Sequence, residues 1–171
     1  MQQNNQSPDL NTQQSQKLSQ LLIQEANLSK SLLELMLEEK ILLEENQADK
    51  LVAITTQKAT CLDQIEFVSR NRAQLLLALS SKPTTVDRMK DFISKQTTKI
   101  QIILNRKIDT LEIVLEECKH QNSVNGMIIS MSQRNVQRNL NIIKGIEQDS
   151  MTYTQKGQTT ALGQQGKGLK V

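Results

Sequence analysis

The chain reads as all-α: a long antiparallel helical hairpin or coiled-coil bundle of about three helices, with polar tails at both ends. Three observations carry that expectation. Leucine and glutamine dominate, with 23 Leu and 22 Gln in 171 residues, while aromatics make up only 2% and Trp is absent. A compact globule of this size normally fills its centre with aromatic rings, whereas narrow seams between helices are filled by Leu and Ile. Residues 9–82 and again 84–125 contain neither Gly nor Pro, the two strongest punctuators of a chain. Within those stretches apolar residues recur at alternating spacings of three and four, the period of a helix that packs on another helix.

In chain order, residues 1–16 read as a disordered polar tail, since nine of the sixteen are Gln or Asn and such a segment has little apolar surface to bury. A single elongated helical domain over 17–149 follows. Its first helix, about 17–45, carries Leu18, Leu21, Leu22, Leu28, Leu32, Leu35 and Leu42. A second, about 47–80, carries Leu51, Val52, Leu62, Ile65, Leu76 and Leu79. Between them, Asn46 is placed to cap a new helix with Asp49 three residues on. That predicts a kink or short break, with a three-helix bundle as the rival if the first helix folds back there. Pro83 disfavours helical geometry at Lys82, and Thr84 with Asp87 forms a capping box that opens a third helix, about 84–148. Residues 150–171 hold four Gly, Lys156, Lys167 and Lys170 and no acid, which reads as a flexible basic tail.

Folding the third helix back on the first two about Pro83 pairs residue i with about residue 164 − i. The polar seam positions Glu39 and Glu25 then fall opposite Asn125 and Asn139. A buried polar group without a partner costs about 1–3 kcal/mol, so matched polar layers are expected to set the register.

Little in the sequence supports catalysis. His120 is the sole imidazole, Cys61 and Cys118 are isolated, and the acidic pairs sit at helix-surface spacing. No phosphate loop, cofactor motif or metal-ligand spacing appears, so no enzyme and no cofactor is expected. Outside the tail the 18 basic and 18 acidic residues balance, which disfavours a nucleic-acid partner. The longest apolar run, Leu75–Leu79, is too short for a membrane span. The polar N-terminus resembles no secretory signal, and a cytoplasmic location is expected.

The feature with functional content lies near the end of the third helix. Ile128, Ile129, Val136, Leu140, Ile142, Ile143 and Ile146 make this segment more apolar than one seam needs. A widened apolar face can hold its own bundle and also receive a partner helix. These residues are the candidate cargo-binding set. A homo-oligomeric coiled coil of structural role is the competing expectation.

Several pieces together carry a resemblance. They are the Leu-rich helix Leu18–Leu43, Lys58-x3-Leu62-x2-Ile65, Asn122-x2-Asn125-Gly126, then Arg134-x-Val136-x-Arg138-x-Leu140-x-Ile142-Ile143-x-Gly145, and last Tyr153-x3-Gly157. The chain resembles the FlgN family of flagellar type III export chaperones over nearly its whole helical length. The resemblance implies a cytoplasmic chaperone of the hook–filament junction proteins FlgK and FlgL that delivers them to the export gate. It also implies that Tyr153 and Gly157 contact that gate. A chaperone of another axial protein, the filament cap or flagellin, is the alternative within the same class.

Overall fold

The computed structural model describes residues 8–144. Four helices follow in order: α1 (Pro8–Glu44), α2 (Ala48–Leu79), α3 (Thr85–Ser94) and α4 (Thr98–Ile143). Among the described residues there is no strand. The all-α expectation stands, as a bundle of three long helices and one short one. Contacts divide the chain into two units, the first through Ile129 and the second from Ser130.

Helix α1 begins at Pro8, where proline's missing N–H costs nothing because the first helical donors are unpaired in any case. Residues 8–16, expected in a polar tail, are therefore helical. Glutamine is a good helix former, and the seam starts at a residue that an apolar count overlooks: Ser15 is buried and its hydroxyl donates to Gln96 Oε1 at 3.0 Å. From there Ser15, Leu18, Leu22, Glu25, Ser29, Leu32, Met36 and Glu39 are buried at alternating steps of three and four, with Ala26 buried beside Glu25.

The chain reverses after α1. Asn46 has φ 54°, the left-handed region that Asn tolerates better than most residues. The N–H groups of Asn46 and Gln47 donate to the carbonyls of Leu43 and Leu42, the pattern that closes a helix C-terminus. Asn46 therefore ends α1. It does not cap α2, whose N-cap is Gln47 without a side-chain bond. The break is a full reversal, as in the rival three-helix arrangement. Three contacts show α2 running antiparallel to α1: Glu39 with Lys58, the Leu28 carbonyl with Cys61, and Glu25 with Arg72.

Beyond Pro83, the Thr84 hydroxyl accepts from the Asp87 N–H at 3.1 Å and donates to its carboxylate at 2.7 Å. The expected cap by Thr84 is present, with Asp87 answering the Thr84 hydroxyl where a full capping box would answer its backbone N–H. The turn is further tied by Ser80, whose hydroxyl donates to Asp91 at 2.6 Å. Hydrogen bonds from Lys95 and Ser80 hold the Asp91 carboxyl below the usual carboxylate range.

The single third helix expected over 84–148 is instead two helices, broken at Lys95–Thr97. Gln96 is the reason. Its side chain is buried, donates to the Phe92 carbonyl at 3.0 Å and accepts from Ser15, while Gln101 donates to its backbone carbonyl at 2.9 Å. A residue whose side chain satisfies local backbone groups competes with helix continuation. The break redirects the chain without Gly or Pro.

Helix α4 then runs parallel to α1. Ser15 meets Gln96, the Ser29 carbonyl meets Cys118, and the Met36 carbonyl meets Asn125, so both numbers rise together with separations of 81, 89 and 89 residues. The first unit is an up-down-up bundle. Its larger core cluster includes Leu18, Leu22, Leu76, Met89, Phe92, Ile93, Leu104 and Leu111. A second cluster is built on Leu32, Met36, Cys61, Val114 and Cys118.

Candidate partner-binding face on helix 4

The bundle must first account for its polar seam positions, because only what the bundle leaves over is free for a partner. Glu39 is buried; it is paired with Lys58 at 2.6 Å and accepts from Asn125 Nδ2 at 2.7 Å. Asn125 also donates to the Met36 carbonyl at 2.8 Å and accepts from Gln121 at 2.8 Å. Every member of this layer has a partner, the condition under which a buried polar network specifies structure. Glu25 is held by Arg72 through two bonds of 2.7 and 3.0 Å, the fork geometry that suits guanidinium and carboxylate.

The structure thus brings Glu39 and Asn125 together, but not through the antiparallel register. A parallel α4 offset by 86 residues also pairs 39 with 125. The two registers coincide at that one position and diverge everywhere else. Glu25 consequently takes Arg72 of α2 as its partner, and Asn139 is exposed to solvent. The expected Glu25–Asn139 layer is not formed.

The two cysteines are buried structural thiols. Cys61 and Cys118 donate to the carbonyls of Leu28 and Ser29, each at 3.3 Å. Burial pushes both thiols up from their ordinary pKa, and for Cys118 the Glu117 carboxylate and Cys61 add to the effect. Such thiols are poor nucleophiles. His120 is exposed on α4. Among the described residues no group of three His, Cys, Asp or Glu is placed to hold a metal ion, and no helix is long and apolar enough to cross a membrane.

The candidate cargo residues divide as follows. Ile128 is half-buried and Ile129 exposed, both at the end of the first unit. In the second unit Val136 is 55% exposed, Leu140 41% and Ile143 80%. Along one helix these three fall within an arc of about 60°, so they form a stripe. Ile142 is also exposed but lies about 130° round the helix from this stripe, on the side that carries Met131 three turns earlier. Ile146, Tyr153 and Gly157 lie outside the described residues.

From Ser130 to Lys144 every residue is exposed except Asn141, which is half-buried. Covering the Val136–Leu140–Ile143 stripe with a partner is worth on the order of 5 kcal/mol before the cost of association is subtracted. Other apolar side chains are exposed on the first unit, among them Val52, Phe67 and Ile113; this stripe differs in lying on a stretch of helix with no buried residue.

Sequence reasoning missed one further apolar feature. A cleft of about 450 Å³ in the first unit is lined by Leu22, Arg72, Met89, Ile93, Ile108 and Leu111, among others. Its lining comes from α1, α2, α3 and α4 together. No apolar period in the sequence could have announced it.

The family model described as FlgN protein matches residues 14–161. No curated protein and no solved structure matches the chain.

Proposed function

Because the chain belongs to the FlgN family, a family of flagellar export chaperones, we propose that it binds the hook–filament junction proteins FlgK and FlgL in the cytoplasm, keeps them unassembled and delivers them to the export gate. The observation that carries this reading is the exposure of Val136, Leu140 and Ile143 on one side of α4. Proteins that polymerise through amphipathic helices expose sticky apolar faces as monomers. A chaperone helix with a free apolar stripe covers such a face by the helix-in-groove mode. Ile128, Ile129 and Ile146 extend the same cargo set in sequence. The sulfur and branched side chains near this end of α4, including Met127 and Met131, suit a surface that must adapt to more than one client.

Delivery requires release, so moderate affinity serves the cycle better than the tightest attainable. Tyr153 and Gly157 are proposed, from the family resemblance, to contact the export gate. A Tyr153→Ala variant is then expected to bind cargo normally and to fail in delivery.

The test is co-elution of the full chain with FlgK, FlgL, the filament cap protein and flagellin in turn, repeated with Leu140→Asp/Ile143→Asp. The expected result is a complex with FlgK and FlgL that weakens about a hundredfold or more in the double variant, a loss of about 2.7 kcal/mol, while helicity is unchanged. Co-elution with the cap protein or flagellin alone would reassign the cargo. A stable homo-oligomer that ignores all four would favour a structural coiled coil instead.

A further inference from the structure

The second unit carries a second face, unlike the first in chemistry. Met131, Arg134, Arg138 and Ile142 fall together within an arc of about 80°, centred about 180° from the Val136–Leu140–Ile143 stripe. All four are exposed. Arg134 and Arg138 are one turn apart, which puts their Cβ atoms about 6 Å from each other, and an apolar residue stands at each end of the pair.

The charge around them is one-sided. Residues 118–146 contain no Asp or Glu at all. Among the described residues neither Arg134 nor Arg138 has an ion-pair partner, whereas Arg72 and Lys58 of the bundle each have a buried carboxylate. Among the described residues the guanidinium of Arg134 donates to its own helix, at the Ser130 carbonyl, 3.2 Å away.

We propose that this face docks an acidic amphipathic helix of a partner protein, one that carries two carboxylates a single turn apart between apolar residues. The carboxylates pair with Arg134 and Arg138, and the apolar residues cover Met131 and Ile142. Arginine's planar fork favours carboxylate partners of this kind. The apolar ends distinguish the face from a phosphate-binding strip, which would leave Met131 and Ile142 facing water. The inference does not depend on which cargo the apolar stripe takes.

The probe is a pair of synthetic amphipathic helical peptides, identical in their leucines, with either Glu or Gln at the two positions meant to face the arginines. Binding to the full chain is followed by fluorescence anisotropy. The Glu peptide is expected to bind about tenfold more tightly than the Gln peptide at low salt. That preference should vanish near 0.5 M salt, where the screening length falls to about 4 Å. Arg134→Glu/Arg138→Glu should abolish the preference, and Leu140→Asp should leave it intact.

Equal binding of the two peptides overturns the proposal while leaving the cargo reading untouched. So does a preference that survives Arg134→Glu/Arg138→Glu. Loss of the Glu peptide in Leu140→Asp would place it on the apolar stripe and overturn the second face. Native mass supplies the remaining outcome. Glu34 and Glu38 of α1 are likewise exposed and one turn apart, so a dimer broken by Glu34→Lys/Glu38→Lys would assign the face to a second copy of this chain and overturn an external partner.

Discussion

Two stretches of the same helix make opposite use of the same side chains. Between Leu104 and Cys118, α4 buries Leu104, Leu111, Val114 and Cys118 against the bundle. Between Ser130 and Ile143 it exposes Met131, Val136, Leu140, Ile142 and Ile143. The apolar period continues from one stretch to the next. What changes is the cover. A period of three and four says that a helix expects company, and it is silent about whether the company belongs to the chain or arrives from outside. The polar content differs too. In the bundle, Glu25, Glu39 and Asn125 each have a partner, whereas Arg134 and Arg138 have no carboxylate partner among the described residues.

The sharpest way to break this contrast is one substitution made twice. Leu104→Ala, at a site 1% exposed, should cost about 3 kcal/mol through lost burial and the cavity left behind. Leu140→Ala, at a site 41% exposed, should change stability by less than about 0.5 kcal/mol. Denaturant titration of the two variants decides, and equal losses would erase the distinction between the stretches.

A smaller effect tests the polar layer that precedes the exposed segment. Glu39→Ala strands Lys58 and leaves Asn125 short of an acceptor, and should cost about 2 kcal/mol. A neutral result would mean that water replaces Glu39 without penalty.

Two substitutions should stabilise, each by about 1 kcal/mol or less. The Ser29 hydroxyl is buried without a hydrogen-bond partner among the described residues, so Ser29→Ala removes a desolvated group at no loss of bonding. Gly126 has open space where a Cβ would stand, so Gly126→Ala gains helix propensity without a clash. Thermal melts report both, and a fall in melting temperature for either would show a constraint that the packing does not reveal.

Much of this architecture was legible in the residues. The helices, the break near Asn46, the Thr84 cap with Asp87 and the apolar excess after Gly126 all have local causes, and local causes can be read from neighbours in sequence. The direction of α4 was not legible. Polar seam positions identify which layers must match, but one matched layer, Glu39 with Asn125, fits both a parallel and an antiparallel partner. Discriminating them needed Arg72, a half-buried cation on α2 that reads as a surface residue until Glu25 is seen beside it. The Gln96 break was hidden for a related reason. It depends on a hydrogen bond from Ser15, 81 residues away, and no window along the chain contains both. The start of α1 was obscured because glutamine signals polarity and helix at once.

A client that uses the exposed stripe must make contact between Ser130 and Lys144. Hydrogen–deuterium exchange of the full chain, alone and with FlgK or FlgL, measures this directly. The predicted result is new protection over 130–144, with the amides of α1 and α2 exchanging as they do in the free protein. Protection that appears on α1 and α2 and leaves 130–144 unchanged would contradict it.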